Sequence, residues 1–186
     1  MPEGPIQVAL KEWNVLCRAL EAGEQIFLLR KGGISESIGG FEIEHRQFLF
    51  FPTFLHQNPA MLKPKRREPI QPQEAEPETV EIRCAAEITD IVAVKDRAQI
   101  GRLDDHHIWS PALIDMRFSY KPQNPLYLLI VRAYRLPQPL TILNTPAFAG
   151  CKSWVPLDSS IDIRGVTPAI DSEAFDSKRQ SILNAL

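Results

Sequence analysis

Residues Ile6 to Ala22 carry apolar side chains at Ile6, Leu10, Trp13, Leu16, Cys17 and Leu20, with Lys11, Asn14, Arg18 and Glu21 between them. That i, i+3, i+4, i+7 spacing predicts an amphipathic helix that buries Leu10, Trp13 and Leu16, and Gly23 is a natural stop for it. Gln25 to Lys31 then reads as a buried strand, with Gly32-Gly33 as a turn or a close backbone approach. Gly39-Gly40 opens a further strand in which Phe41 and Ile43 share one face and Glu42 and Glu44 the other, so His45 falls on the apolar side. At Phe48-Leu49-Phe50-Phe51 the period fails. A strand buried on both faces and a short helix ended by Pro52 are equally compatible with it.

Residues 59–78 hold five prolines among KPKRRE and QPQEAEPE, the composition of a solvated linker or a surface loop. Beyond it, Val80 to Ala86 and Glu87 to Val94 read as two strands, and Asp96 to Leu103 as a short helix. Ser110-Pro111 predicts another helix start, with serine as the cap and proline at the first helical position. Leu126 to Leu136, LYLLIVRAYRL, is the strongest strand pattern in the chain and suggests a central position. Lys152 to Leu157 adds a strand after the AFAG turn. The C-terminal segment 167–186 contains a helix from Asp171 to Leu186, with Ser172 as its cap and Phe175, Ile182, Leu183 and Leu186 facing inward. Several strands with few helices in βαβ spacing imply an α+β fold: a mostly antiparallel sheet or small barrel with flanking helices, in one domain over residues 1–186.

Composition fits that picture and excludes several classes. The chain has 186 residues, 44% of them hydrophobic and 24% charged, so it can bury a core without staples. Cys17, Cys84 and Cys151 are odd in number and widely spaced, which favours a reducing compartment. MPEGPIQVALKEW has the pattern of neither a signal nor a transit peptide, and no apolar run approaches the ~20 residues a bilayer requires. The expectation is therefore a soluble cytoplasmic protein without a membrane partner. A net charge of −2 argues against a broadly basic surface but allows a local basic patch.

Candidate chemistry concentrates where charged and imidazole groups interrupt apolar runs, which is costly unless they are paired, solvated or used. Arg30 and Lys31 before the glycines could hold a phosphate, although the same residues also make a plain hairpin turn. Glu44-His45, with His56, Asp104, Asp105, His106 and His107, forms a formal metal inventory whose spacing matches no metal motif. No cofactor motif is present. Trp109, Tyr120, Tyr134 and Trp154 could stack on a base, with Arg117, Arg132, Arg135 and Lys152 on phosphates. The candidate ligand-binding set is Arg30, Lys31, Glu44, His45, His56, Gln57, Trp109, Arg117, Lys152 and Trp154.

The phrases LKEWNVLCRALEAGEQIFLLRKGGI, FEIEHRQFLFFPTFLHQ, WSPALIDMRFSYKPQNPLYLLIVRAYRL and AFAGCKSWVPL resemble the bacterial Domain of Unknown Function 1802 family, from about Leu10 to Leu157. That resemblance brings no activity; it implies a partner role in handling DNA beside a restriction-type nuclease. A weaker resemblance is to PUA-like pseudo-barrels of the ASCH and EVE type, carried by Ala22-Gly23…Arg30, VRAYRL and GCKSW. ASCH domains place a lysine and a glutamate between that glycine and arginine, where this chain has Gln25 and Leu28. Three readings follow. The first is a non-enzymatic PUA-like module binding a nucleotide or nucleic acid; the second is a metal-dependent hydrolase using Glu44, His45, His56 and Asp105; the third is an interaction domain with merely paired polar groups.

Overall fold

The computed structural model describes residues 4–31, 36–37, 40–41, 44–66, 70, 73–150 and 152–186. The expected Gly32-Gly33 turn, Gly39, Glu42 and Ile43 of the expected second strand, and Cys151 lie outside them. The order is β1 (Ile6–Trp13), α1 (Asn14–Glu21), β2 (Phe27–Arg30), β3 (Glu36–Ser37), β4 (Gly40–Phe41), β5 (Gln47–Thr53) and β6 (Thr79–Val94). It continues with α2 (Arg97–Gly101), α3 (Pro111–Ser119), β7 (Leu126–Leu143), β8 (Trp154–Ile161), β9 (Thr167–Pro168) and α4 (Ser172–Ala185). The fold is α+β. Seven strands form one open sheet in the order β2-β7-β6-β5-β1-β8, with β9 attached to β7. All of its pairings are antiparallel except that of β1 with β5.

The predicted helix from Ile6 is corrected: its first half is a strand, and the helix spans only Asn14–Glu21. Long-range pairing decides this. β1 is hydrogen-bonded between β5 and β8, and both of its faces are packed, with Leu10 in one core and Ala9 in the other. Two buried faces give a near-continuous apolar run that imitates helical spacing. Trp13 ends the strand half-buried, while Leu10 and Leu16 are buried as expected. Phe48, Leu49, Phe50 and Phe51 belong to β5 and are buried on both faces. Pro52 does not end an element, because β6 follows β5 only as far as Leu49 and leaves the proline beside an unpaired stretch.

The two strands expected over Val80–Val94 are one, bent by irregularities at Ile82/Cys84 and Ile88/Asp90. In the 59–78 segment, Leu62 and Ile70 are buried in the main core, and Leu62 bridges to Trp109, so the segment is anchored to the fold. The C-terminal helix is capped by Asp171, which accepts from the Ala174 N–H, rather than by Ser172. Gly23 ends α1 with a left-handed φ of 68°, and a β-carbon there would come within 2.2 Å of Ile170 Cγ2. Gly23→Ala should therefore lower stability by about 1–2 kcal/mol from backbone strain alone, and by more where Ile170 must shift; thermal denaturation measures it.

The sheet curls around the larger core. Arg30 at the end of β2 reaches Glu12 and the Lys11 carbonyl on β1, although β7, β6 and β5 separate those strands in the sheet. Closure on this side is made by these side chains.

Candidate functional site

Alternation along β1 puts Glu12 on the same side as Leu10, at the end of the apolar stripe. β2 supplies Arg30 and is followed at once by Lys31. From the third side comes α3, whose register is set by Pro111 and by the Ser110 N–H donating to the Met61 carbonyl at 2.9 Å. On that helix Leu113 and Ile114 are buried. Arg117 lies four and three residues on, hence on the same face, while Asp115 pairs with Arg97 on the outside.

Arg30 and Lys31 are each only 9% exposed, and Glu12 8%. Arg30 Nη2 is ion-paired with Glu12 and donates to the Lys11 carbonyl at 3.0 Å. Lys31 Nζ donates to the Phe118 carbonyl at 2.6 Å, in the last turn of α3 where the helix dipole favours a cation. Burial pushes the Arg117 guanidinium down from its ordinary value; Glu12 acts the other way and Arg30 adds to the lowering. The Nε atoms of both Arg30 and Arg117 are buried and have no hydrogen-bond partner. Arg30 is thus paired with Glu12, Arg117 stands within electrostatic reach of both, and Lys31 is held at the adjoining end of α3. The arrangement suits an anion with several acceptor oxygens, since guanidinium forks bind phosphate and carboxylate in that way.

The other candidates occupy other parts of the fold. Gln57 Oε1 accepts from the Val15 N–H at 3.0 Å and so occupies the first turn of α1. His56 is exposed in a left-handed turn after β5, with φ of 68°. Trp109 is 4% exposed, edge-on to Phe27 at 5.6 Å and tilted against His107, so it offers no face to a ligand. Lys152 is exposed ahead of β8. Glu44 and His45 precede β5, with 3.6 Å between carboxylate and imidazole, and His45 meets Trp154 edge-on at 5.1 Å. Asp105 lies in a turn at Asp104–His106, away from β5 in the chain, and no group of three metal-ligating side chains occurs among the described residues. Arg30, Lys31 and Arg117 are therefore brought together, and His45 with Trp154. Glu12 escaped the sequence reading because helical spacing hid it; its only signal was a carboxylate inside an apolar stripe.

The chain matches the family described as Domain of unknown function (DUF1802) over residues 9–181, and it belongs to that family. No curated protein matches it. Among solved structures, it is similar to ASCH from Zymomonas mobilis, with 11% identity and a TM-score of 0.46 over 95% of this chain and 93% of that one. A mutant of ZmASCH from the same organism gives 11% identity and a TM-score of 0.47 over 93% of this chain and 96% of that one. Likeness at this level carries nothing about ligand or chemistry. No helix among the described residues is long and apolar enough to cross a membrane.

Proposed function

We propose that this member of the DUF1802 family is a binding module for a phosphate-bearing ligand, a nucleotide or nucleic acid, held between Arg30 and Arg117. One observation carries the reading. Two buried guanidinium Nε atoms lack acceptors in a cluster where Arg30 and Arg117 both face the Glu12 carboxylate. A buried donor without a partner costs about 1–3 kcal/mol, and more when charged. A phosphate reaching this cluster would supply acceptors to both forks and balance the excess charge. The reading asks for no catalytic group, and none of the four histidines contacts this cluster by any hydrogen bond or ion pair among the described residues.

The test is a titration with short oligonucleotides and with pyrophosphate across a range of salt. Contacts from Arg30, Lys31 and Arg117 to a single strand should give a slope of log K against log salt of about −2, at about −0.7 each. Arg117→Gln should bring that slope about 0.7 nearer zero and weaken binding to all sequences alike. Binding no stronger than that of an acidic control protein would refute the reading, provided the variant melts with the parent.

A further inference from the structure

Among the described residues, three large apolar side chains stay exposed, and two of them stand one turn apart at the end of α3: Met116 is 42% exposed and Tyr120, directly after the helix, 55%. A single exposed apolar residue needs no explanation. A thioether and a phenol side by side, next to an anion cluster, do. The core does not require them there, because α3 meets it through Leu113, Ile114 and Phe118.

Residues three and four apart on a helix are neighbours, with about 5–6 Å between their β-carbons. Tyr120 therefore lies beside both Met116 and Arg117, and its phenol is within electrostatic reach of the Arg117 guanidinium. The Tyr120 N–H donates to the Met116 carbonyl at 2.9 Å, which fixes where the residue leaves the helix. Lys121 follows in the left-handed region, with φ of 42°, and its carbonyl accepts from the Asn124 N–H at 2.9 Å to close a turn. That turn carries the Lys121 ammonium over the Tyr120 ring, 5.5 Å from its centroid. One face of the ring is thus set against a cation, and more than half of the residue remains open to solvent. A turn back along α3 is the buried Arg117 Nε that lacks an acceptor.

We infer that Tyr120 is a stacking platform for an unpaired base of single-stranded nucleic acid, the adjoining phosphate lying on Arg117. The inference rests on the anion-binding reading of the cluster and deepens it to a ligand class. An open aromatic face beside cations that hold the backbone is the means by which a strand is bound without regard to its sequence. Exposure decides among the phosphate-bearing ligands. A site for a free nucleotide encloses most of its ligand, whereas a base laid on Tyr120 keeps much of its surface in water and gains from neighbouring nucleotides tethered to it. A duplex holds its bases paired and stacked inside; a single strand can turn one out onto the ring.

The test is an anisotropy titration of the full chain with a fluorescent thymidine tetranucleotide and with an abasic tetranucleotide of equal charge, each competed by pyrophosphate and by a short duplex. The base-bearing strand should bind about tenfold more tightly than the abasic one. Tyr120→Ala should remove that advantage and leave the abasic affinity and the salt slope unchanged, while Tyr120→Phe, which keeps the ring, should retain it. Tyr120→Leu keeps an apolar side chain without an aromatic face; it should behave as the alanine variant does, and it replaces that variant if alanine does not fold. Equal affinity for the two strands, unchanged in these variants, would overturn the platform, and a salt slope still flattened by Arg117→Gln would show the anion-binding reading standing alone. Tighter binding of the duplex would also overturn it. So would a Tyr120→Ala variant that lost self-association in sedimentation and kept its preference for the base-bearing strand, since the patch would then be a contact between copies of the chain. No binding of either strand or of pyrophosphate would remove both readings.

Discussion

Glu12→Ala is expected to lower the stability of the chain by roughly 3–5 kcal/mol, the usual cost of removing one partner from a buried ion pair. Glu12 and Arg30 are both less than a tenth exposed, and the nearby Arg117 is desolvated as well. Truncation would leave the cations facing one another with no carboxylate among the described groups. Replacing Glu12 and Arg30 together by methionine should be far milder, because a buried pair exchanged for apolar side chains of similar size is often neutral. The second arm concerns ligand. If the cluster is an anion site, pyrophosphate at about 100 times its dissociation constant should restore about 2.7 kcal/mol by mass action. Urea denaturation of parent, single and double variants, with and without pyrophosphate, measures all of this. A single variant that unfolds with the parent would mean the pair is not coupled to folding.

What could be read from the chain, and what could not, follows from the range of the interactions involved. Local signals held. Gly23 after α1, Pro111 opening α3 and the apolar run of β7 all act through neighbouring residues. Elements decided by distant partners were misjudged. β1 is a strand because β5 and β8 flank it, and neither lies near it in sequence. The strand pattern is read over Leu126 to Leu136, yet β7 runs on past Pro137 and Pro139 and resumes its pairing at Leu140 with Ile82. The residues between Arg135 and Leu140 form a bulge opposite Arg83, where a missing N–H costs nothing in the ladder.

The candidate site divides along the same line. Arg30, Lys31 and Arg117 were readable as cations beside apolar runs, and the curl of the sheet, which no local pattern encodes, sets Arg30 and Arg117 around Glu12 while Lys31 is tied to the end of α3. Trp109 also stood beside polar groups in sequence, but its bridge to Leu62 draws it into the core. Gln57 looked like a ligand contact and is committed to the first turn of α1. A polar residue near a suspected site can equally be closing a helix end, and only the fold tells the two apart.

His107 should make the fold acid-sensitive between about pH 6.5 and pH 4. The imidazole is buried against Phe27 and Trp109, and its carbonyl accepts from Lys63 Nζ at 2.8 Å. Burial, followed by the nearby Lys63 charge, holds it down at about 4, whereas an unfolded chain titrates its histidines near 6.5. Between these values the unfolded state binds a proton that the folded state refuses. The contribution to stability is therefore fully present above about pH 6.5 and declines as pH falls towards 4. At about 1.36 kcal/mol per unit, the loss over that window is roughly 3 kcal/mol. His107→Phe keeps an aromatic ring in the same contacts and removes the proton. Urea midpoints near pH 7 and near pH 4.5 should then converge more closely for the variant than for the parent, and taking the difference between the two proteins cancels the carboxylates common to both. Parallel pH profiles would mean that His107 accepts its proton in the folded state. Because His107 packs with Trp109 beneath the start of α3, the same acidification should loosen the helix that presents Arg117, so anion binding in the parent should weaken over the same window and persist further into acid in the variant.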